Sequence, residues 1–409
     1  MKFEEFRIEP EILRSLETLG FKRPTDIQYK AIRPILEGED VLGIAQTGTG
    51  KTAAFAIPVI NNLHRRKRSK KALGIRCVVM VPTHELAIQL NGVFKEIGKH
   101  TKVQIAAIYG GVEQETQITR LEKGLDILIA TPGRLFDLVS QGHLQLRQVE
   151  ILILDEADHM LDLGFYKDIE DLQKFLPAKR QTLFFSATID EKIKKLAYSL
   201  VSKPIRIQIS PKNPVAKNID HAVIFVNMDD KRFFLERMIN ENEGQKFLVF
   251  VRTKVRAERV AKAMERVNIE TRTIHSDKDQ NDRAKVMRQF RNGEALVLIA
   301  TDVSARGIDI PDVDFVINYD LPEQPENYVH RVGRTGRGTR RGKAISFCSE
   351  EEKSLLEAVE DYITQTINRL EVTQTDHIET LELSAEKTSN DWKALMQEAE
   401  RAKGKKKGK

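Results

Sequence analysis

Three stretches of this 409-residue chain carry residues whose types and spacing could do chemistry. The first is Ala45-Gln46-Thr47-Gly48-Thr49-Gly50-Lys51-Thr52. Its glycines let backbone N–H groups turn inward around a polyphosphate, Lys51 can reach the β- and γ-phosphates, and the Thr52 hydroxyl can ligate Mg²⁺. The second is Ile151-Leu152-Ile153-Leu154-Asp155-Glu156, an apolar run ending in acids. Asp155 is suited to hold Mg²⁺ through water, and Glu156 to polarise an attacking water. A Gly-rich turn can carry Lys by chance, and acids commonly solvate strand ends. Together, however, the two stretches point to Mg²⁺-dependent NTP hydrolysis. The third is His330-Arg331-Val332-Gly333-Arg334-Thr335-Gly336-Arg337-Gly338, in which arginines recur every third residue. They form a cationic edge suited to phosphate oxygens. Arg334 and Arg337 read as arginine fingers, which contribute about 10³–10⁵ in rate by stabilising transition-state charge. The competing reading is a solvated basic helix end or a plain nucleic-acid patch. Because cradle and fingers fall in different parts of the chain, hydrolysis is expected to require closure between them.

The elements that must position these groups are legible as short apolar runs alternating with helical stretches. Val41–Ala45, Cys77–Val81, Ile127–Ala130, Ile151–Leu154 and Thr182–Phe185 read as strands buried on both faces. The phosphate cradle then follows a strand and opens a helix, and Asp155 falls at the sheet's C-terminal edge. Pro204, Pro211 and Pro214 break the pattern over Ser202–Asn218. It resumes with Phe247–Val251, Thr271–Ile274, Ala295–Ala300, Phe315–Ile317 and Ala344–Cys348. The expected fold is α/β, with two doubly wound domains on mostly parallel sheets. Their bounds are 1–209 and 219–366, with a linker at 210–218. From 367 to 409 a polar, helical-looking segment (Ala385–Ala402) gives way to Lys and Gly and is expected to be disordered. No tandem repeat with a period of about 20–50 residues is visible.

Composition narrows the partners. Sixty-six basic and sixty acidic side chains give a formal charge of +6. Residues 401–409 contain Arg401, Lys403, Lys405, Lys406, Lys407 and Lys409 and no acid, so they account for the whole excess. A globally basic binder is therefore excluded. Arg65-Arg66-Lys67-Arg68-Ser69-Lys70-Lys71 is a second basic run, expected as a surface loop. Either run is a solvated segment or a salt-sensitive, sequence-blind tether for a polyanion such as nucleic acid. The only cysteines, Cys77 and Cys348, exclude a disulfide scaffold and a Cys-based zinc site. No apolar run approaches the length of a membrane span, and the N-terminus lacks an apolar signal-peptide core, so a cytoplasmic protein without membrane partners is expected.

Asp155-Glu156-Ala157-Asp158 spells DEAD, and the chain resembles the DEAD-box RNA helicases of superfamily 2, in the compact layout of bacterial members. The resemblance runs from about Phe3 to Ser349, with the motifs in family order. It implies tandem RecA-like domains, ATP with Mg²⁺, and RNA bound by backbone with little sequence preference. Phe21 would pack on adenine and Gln28 would read its edge, although Thr25-x-x-Gln28 is also a capping box. Ala45–Thr52 would bind the phosphates, joined by Gly307 at the γ-phosphate and Asp309 at the ribose. RNA contacts would come from Pro82, Thr83, Gly110, Gly111, Thr131, Pro132, Gly133 and Arg134, and from Arg283 and Thr301 in the second domain. Ser186-Ala187-Thr188 would couple nucleotide state to duplex opening through hydroxyl hydrogen bonds to the Asp155–Asp158 segment, and His330 would bridge toward that segment.

Departures from the family pattern are His84 in place of Arg, Ser276 in place of Gly, and Ser304 in place of Ala. The function so implied is RNA-stimulated ATP hydrolysis coupled to local, non-processive opening of short duplexes or to ribonucleoprotein remodelling, by a monomeric core. An ATP-gated RNA clamp with little unwinding is the alternative, and a DNA helicase or translocase a weaker one.

Overall fold

The structure is a computed structural model. It describes residues 2–384 except 47, 70–73, 210–214, 216, 217, 303–312, 337–340, 372, 374, 377, 382 and 383, and, within helices, except the side chains of 68, 69 and 280. The chain divides into two compact units, the first running to Lys212 and the second starting at Asn213.

In the first unit β1 (Val41–Ala45), β2 (Cys77–Met80), β3 (Ile105–Ile108), β4 (Ile127–Ala130), β5 (Ile151–Leu154), β6 (Gln181–Ser186) and β7 (Ile205–Ile209) form one sheet in the order β3-β4-β2-β5-β6-β1-β7. Every pairing in it is parallel. Alternate residues of the central strands feed opposite cores. Val41, Val79, Ile129 and Ile153 face α1 (Pro10–Thr18), α2 (Asp26–Glu37), α3 (Lys51–Ser69) and α4 (His84–Ile97). Leu42, Val78, Leu128 and Leu152 pack on the other face, with residues of α6 (Pro132–Ser140), α7 (Ala157–Asp162), α8 (Tyr166–Leu172) and α9 (Glu191–Leu200). The short α5 (Gln114–Glu122) precedes β4. A two-faced burial of this kind explains why the strands read as continuous apolar runs. Gly43 in β1 is needed for space, since a Cβ there would stand 2.5 Å from the Phe185 ring. That ring lies 5.0 Å from Phe55 of α3 and so seats the helix that follows the phosphate loop.

The second unit repeats the topology strand for strand. β8 (Ile219–Phe225), β9 (Phe247–Phe250), β10 (Thr271–Ile274), β11 (Val297–Ala300), β12 (Phe315–Asn318), β13 (Gly342–Cys348) and β14 (Asn368–Leu370) run in the order β10-β11-β9-β12-β13-β8-β14, again all parallel. Its described helices are α10 (Lys231–Glu241), α11 (Lys254–Arg266), α12 (Gln280–Asn292), α13 (Pro325–Val332) and α14 (Lys353–Ile363).

Several expectations are corrected. β3, β7, β8 and β14 have no counterpart in the sequence reading. β7 and β14 are sheet edges whose side chains are largely exposed, so polar residues blur their pattern. β7 lies where Pro204 breaks the pattern, just before the expected linker at 210–218, and pairs with β1. β14 lies past 366 and pairs with β8. Arg65–Ser69 are not a loop but the end of α3. Arg65 meets Glu9 at 3.3 Å, Lys67 meets Asp126 at 2.6 Å, and Arg66 pairs with Glu150. Cations suit a helix C-terminus, and these ones are neutralised within their own unit. Lys70, Lys71 and residues 401–409 lie outside the described residues. Among the described residues no helix is long and apolar enough to cross a membrane.

Candidate active site and RNA interface

In a parallel sheet every strand ends on the same edge, so the loops after β1, β2, β4, β5 and β6 converge there. After Ala45, which is buried, the chain turns through Gly48 at φ +81° and Gly50 at φ +90° into α3. Left-handed backbone at both positions is adopted by glycine without the steric cost that a Cβ would add. Thr49 Oγ1 donates to the Gln46 carbonyl at 2.7 Å. The loop is also tied from outside. The Thr25 hydroxyl donates to the Thr49 carbonyl at 2.8 Å, and Gln28 Nε2 donates to the Gly50 carbonyl at 3.2 Å. Gln28 Oε1 accepts from the Thr25 N–H at 3.0 Å, completing the capping box of α2. Gln28 therefore keeps one N–H and one lone pair free of these bonds for an adenine edge. Phe21 packs beside Phe3 with ring centroids 6.2 Å apart. Lys51 is 7% exposed, and its ammonium has no hydrogen-bond partner among the described residues. Thr52 is half-buried on the first turn of α3. Thr47 lies outside the described residues.

Asp155 follows β5 and is 3% exposed. Burial pushes its carboxyl up to about 7, with the Lys51 charge opposing and Glu156 adding to the rise. Glu156 sits in the left-handed region at φ 53°, a conformation costing about 1–3 kcal/mol for a non-glycine residue. Its carboxylate lies 3.4 Å from Nδ1 of the buried His159. Asp158 Oδ2 accepts from the Ala187 N–H at 3.1 Å, the Thr188 N–H at 3.2 Å and the Thr188 hydroxyl at 3.4 Å. The link between the two motifs is thus chiefly backbone to carboxylate rather than hydroxyl alone. The Ser186 hydroxyl is buried with no partner among the described residues. A buried ammonium without a partner and a buried carboxylate with its charge poorly compensated are what a phosphate–Mg²⁺ pair would satisfy, so these residues fit both groups.

The expected RNA residues of the first unit occupy the same edge. Pro82 is buried after β2, and the Thr83 hydroxyl caps α4 by accepting from the Leu86 N–H at 3.3 Å. The His84 ring lies 5.7 Å from Tyr109, and its Nε2 is 3.4 Å from where a Cβ on Gly110 would stand. His84 therefore lines the glycine pair. Gly111 has φ +74°. Thr131 and Pro132 open α6, Gly133 is exposed, and Arg134 Nη2 donates to the Val112 carbonyl at 3.3 Å. The Nε and Nη1 atoms of Arg134 are buried without partners among the described residues.

In the second unit Thr301 directly follows β11 and is buried, and Arg283 lies on the first turn of α12, whose N-cap Asp279 accepts from the Asp282 N–H at 2.8 Å. His330, Arg331 and Arg334 come from α13 and the turn after it. Here the cationic edge is corrected. Arg331 is 2% exposed and fully engaged. It grips Asp302 with Nε to Oδ1 at 2.6 Å and Nη2 to Oδ2 at 2.7 Å, and its Nη1 donates to Asn318 Oδ1 at 3.2 Å and the Asp320 carbonyl at 2.6 Å. Its charge is spent on joining α13 to the ends of β11 and β12. Arg334 is not solvated either: it is 7% exposed, with Nε donating to the His330 carbonyl at 3.2 Å. The Thr335 hydroxyl donates to the Val313 carbonyl at 2.5 Å and holds the turn. Gly307, Asp309 and Arg337 lie outside the described residues, as does Ser304. Sequence reasoning missed the roles of Asp302, Asn318 and His159. Only the place of Asp302 beside Thr301 could have signalled the first.

Residues 25–196 match the DEAD/DEAH box helicase family and residues 230–339 the helicase conserved C-terminal domain. The chain is 41% identical over 370 residues to the ATP-dependent RNA helicase RhlB of Shewanella frigidimarina, a match covering 90% of this chain and 85% of that one. It is 38% identical over 383 residues to the DEAD-box ATP-dependent RNA helicase RhpA of Helicobacter pylori, covering 92% and 77%. Among solved structures it is similar to S. cerevisiae Dbp5 bound to RNA and ADP BeF3, with a TM-score of 0.82, 30% identity, and 93% and 98% of the two chains covered. Mss116 bound to ssRNA and UDP-BeF aligns with a TM-score of 0.81, 28% identity, and 93% and 81% coverage. The chain belongs to the DEAD-box ATP-dependent RNA helicases.

Proposed function

We propose that this chain carries out RNA-stimulated ATP hydrolysis and uses it to open short RNA duplexes locally, with the residues divided as follows. The observation that carries the reading is the buried, unpartnered Lys51 ammonium beside the buried Asp155 carboxylate, on a loop held by Thr25 and Gln28. Gln28 reads the adenine edge with its remaining donor and acceptor, and Phe21 packs against the base. Backbone N–H groups of residues 46–52 and Lys51 hold the phosphates. Thr52 and, through water, Asp155 hold Mg²⁺, which when bound supplies positive charge for the phosphoryl oxygens. Glu156 orients and accepts a proton from the attacking water, while His159 fixes its carboxylate. Arg334 and Arg337 stabilise the transition-state charge when the units close, with Gly307 and Asp309 completing the nucleotide site.

RNA lies on Thr83, Gly110, Gly111, Thr131, Gly133 and Arg134 of the first unit and on Arg283 and Thr301 of the second, contacted through phosphates and sugars. Asp158 transmits nucleotide state to Ala187 and Thr188, and His330 does so from the second unit. The core acts as a cytoplasmic monomer on RNA or ribonucleoprotein substrates. The test is Glu156→Gln. It should retain ATP and RNA binding and lose at least 100-fold in turnover, within the 10²–10⁴ range of a general base. Undiminished turnover would remove Glu156 from the chemistry. RNA and DNA of equal length, compared as activators, distinguish the substrate, since 2′-hydroxyl contacts tell them apart.

A further inference from the structure

Outside the site described, one surface of the second unit concentrates basic side chains of which all but one form no ion pair among the described residues. A groove of about 660 Å³ runs between the start of α10 and the length of α11. Its floor is Met228, Val260, Ala263 and Tyr319, and its walls carry Arg232, Arg256, Arg259, Lys262 and Arg266 against the single acid Asp229. Arg256 is committed, with Nε 2.8 Å from Asp320 and its guanidinium over the Tyr319 ring. Arg232, Arg259, Lys262 and Arg266 are exposed and make no ion pair among the described residues. Basic residues elsewhere that are built into the fold differ. Arg66, Lys67, Lys231 and Arg331 are all paired with acids of their own unit.

Arg259, Lys262 and Arg266 recur at i, i+3 and i+7, so they form one stripe on α11. Like charges at this spacing destabilise a helix by a few tenths of a kcal/mol per pair. Along the axis the stripe spans about 10 Å. Its placement decides what it suits. α11 starts immediately after Thr253, at the C-terminal edge of the sheet, and β9 pairs with β11, whose end carries Thr301. The stripe therefore leads away from the edge that bears the second unit's expected RNA residues. Tyr319 is 5% exposed and covered by Arg256, so the groove offers no ring on which a base could stack.

We propose that this stripe is an auxiliary RNA track, binding the phosphates of the strand that flanks the segment held by the motif loops. The inference rests on the RNA-directed reading above and extends it. The track is sequence-blind, and it acts only on RNA long enough to reach it. An acidic peptide is the rival occupant. RNA is favoured by continuity with the RNA-bearing edge and by even spacing of point charges along a line.

The experiment uses the full chain and two single-stranded RNAs, one short and one extended by an unpaired oligouridine arm, each measured by direct binding at several salt concentrations. The triple variant Arg259→Gln, Lys262→Gln, Arg266→Gln should bind short RNA as the parent does. It should lose the affinity advantage of the long RNA. Three phosphate contacts correspond to a salt slope of about −2, so raising salt fourfold should erode the parent's advantage roughly twentyfold and leave the variant unchanged. The variant Arg259→Lys, Arg266→Lys should keep the parent's behaviour, since only point charge is required. An unchanged long-RNA advantage and slope in the triple variant would overturn the track. So would loss of polyglutamate binding in that variant with RNA binding intact, which would assign the groove to an acidic peptide. ATPase stimulation by the short RNA reports on the core independently, so its failure would count against the proposed function and not against the track.

Discussion

At the scale of single residues, the arginines after β12 show how one residue type serves opposite ends. Arg331 and Arg334 sit three positions apart, yet Arg331 has spent its fork on Asp302, Asn318 and the Asp320 carbonyl. Removing one member of a buried, hydrogen-bonded pair leaves the other charge uncompensated, at about 3–5 kcal/mol. Arg331→Ala should accordingly lower the unfolding free energy of the second unit by about that amount, read by chemical denaturation. Arg334→Ala should lower RNA-stimulated turnover by more than its loss of stability explains, read as activity at a temperature where both proteins are folded. If the two substitutions gave the same profile, the division between strut and proposed arginine finger would fall. Gln28 is the counterpart in the first unit. Its amide caps α2 and holds the Gly50 carbonyl, so a residue expected to read a base also braces the loop proposed to hold the phosphates.

At the scale of elements, α11 is anchored on one face and charged on the other. Glu258, on its inner side, accepts from His275 Nε2 at 2.8 Å and from the Thr273 hydroxyl at 2.8 Å, and lies 3.2 Å from Lys278. Hydrogen bonding to His275 first, then to Thr273 and Lys278, lowers its carboxyl from 4.5 to about 2. A depressed acid stabilises the fold above its unfolded pKa and loses that contribution as pH falls through the folded value. The stability gap between the parent and Glu258→Gln should therefore be full at neutral pH and close between about 4.5 and about 2. A gap independent of pH across that window would contradict the assignment. The same clasp fixes the segment carrying His275 and Ser276, the latter a position where the family pattern has glycine. α3 illustrates a different rule. The Gly43–Phe185–Phe55 packing seats its body, and the basic residues at its end are satisfied by Glu9, Asp126 and Glu150.

At the scale of the whole molecule, two sheets share one strand order, and each places its candidate functional loops on its C-terminal edge. The phosphate-loop sequence occurs in the first of them, and the second carries the arginine-rich segment instead. The formal charge of +6 equals that of residues 401–409, so the body is neutral on balance. RNA affinity must then come from local arrangements such as the α11 stripe, not from net charge. Deleting 401–409 should weaken RNA binding chiefly at low salt, because a run of point charges offers only counterion release. Equal affinity of parent and truncated chain at low salt would show that the terminal lysines do not tether RNA.

The motifs and central strands could be read directly from the sequence. Buried parallel strands are continuous apolar runs, and phosphate and metal chemistry demands Gly, Lys, Thr and Asp at set spacings. Edge strands such as β7 and β14 could not, because one open side admits polar residues and erases the pattern. The sequence by itself determined the fold class, the nucleotide chemistry and the family, since each follows from residue type and order. Only the tertiary structure decided which charges are available. Arg331, Arg65, Arg66 and Lys67 look the same in sequence as Arg259, Lys262 and Arg266. What separates them is whether folding brings an acid from a distant segment within reach, and no local spacing records that.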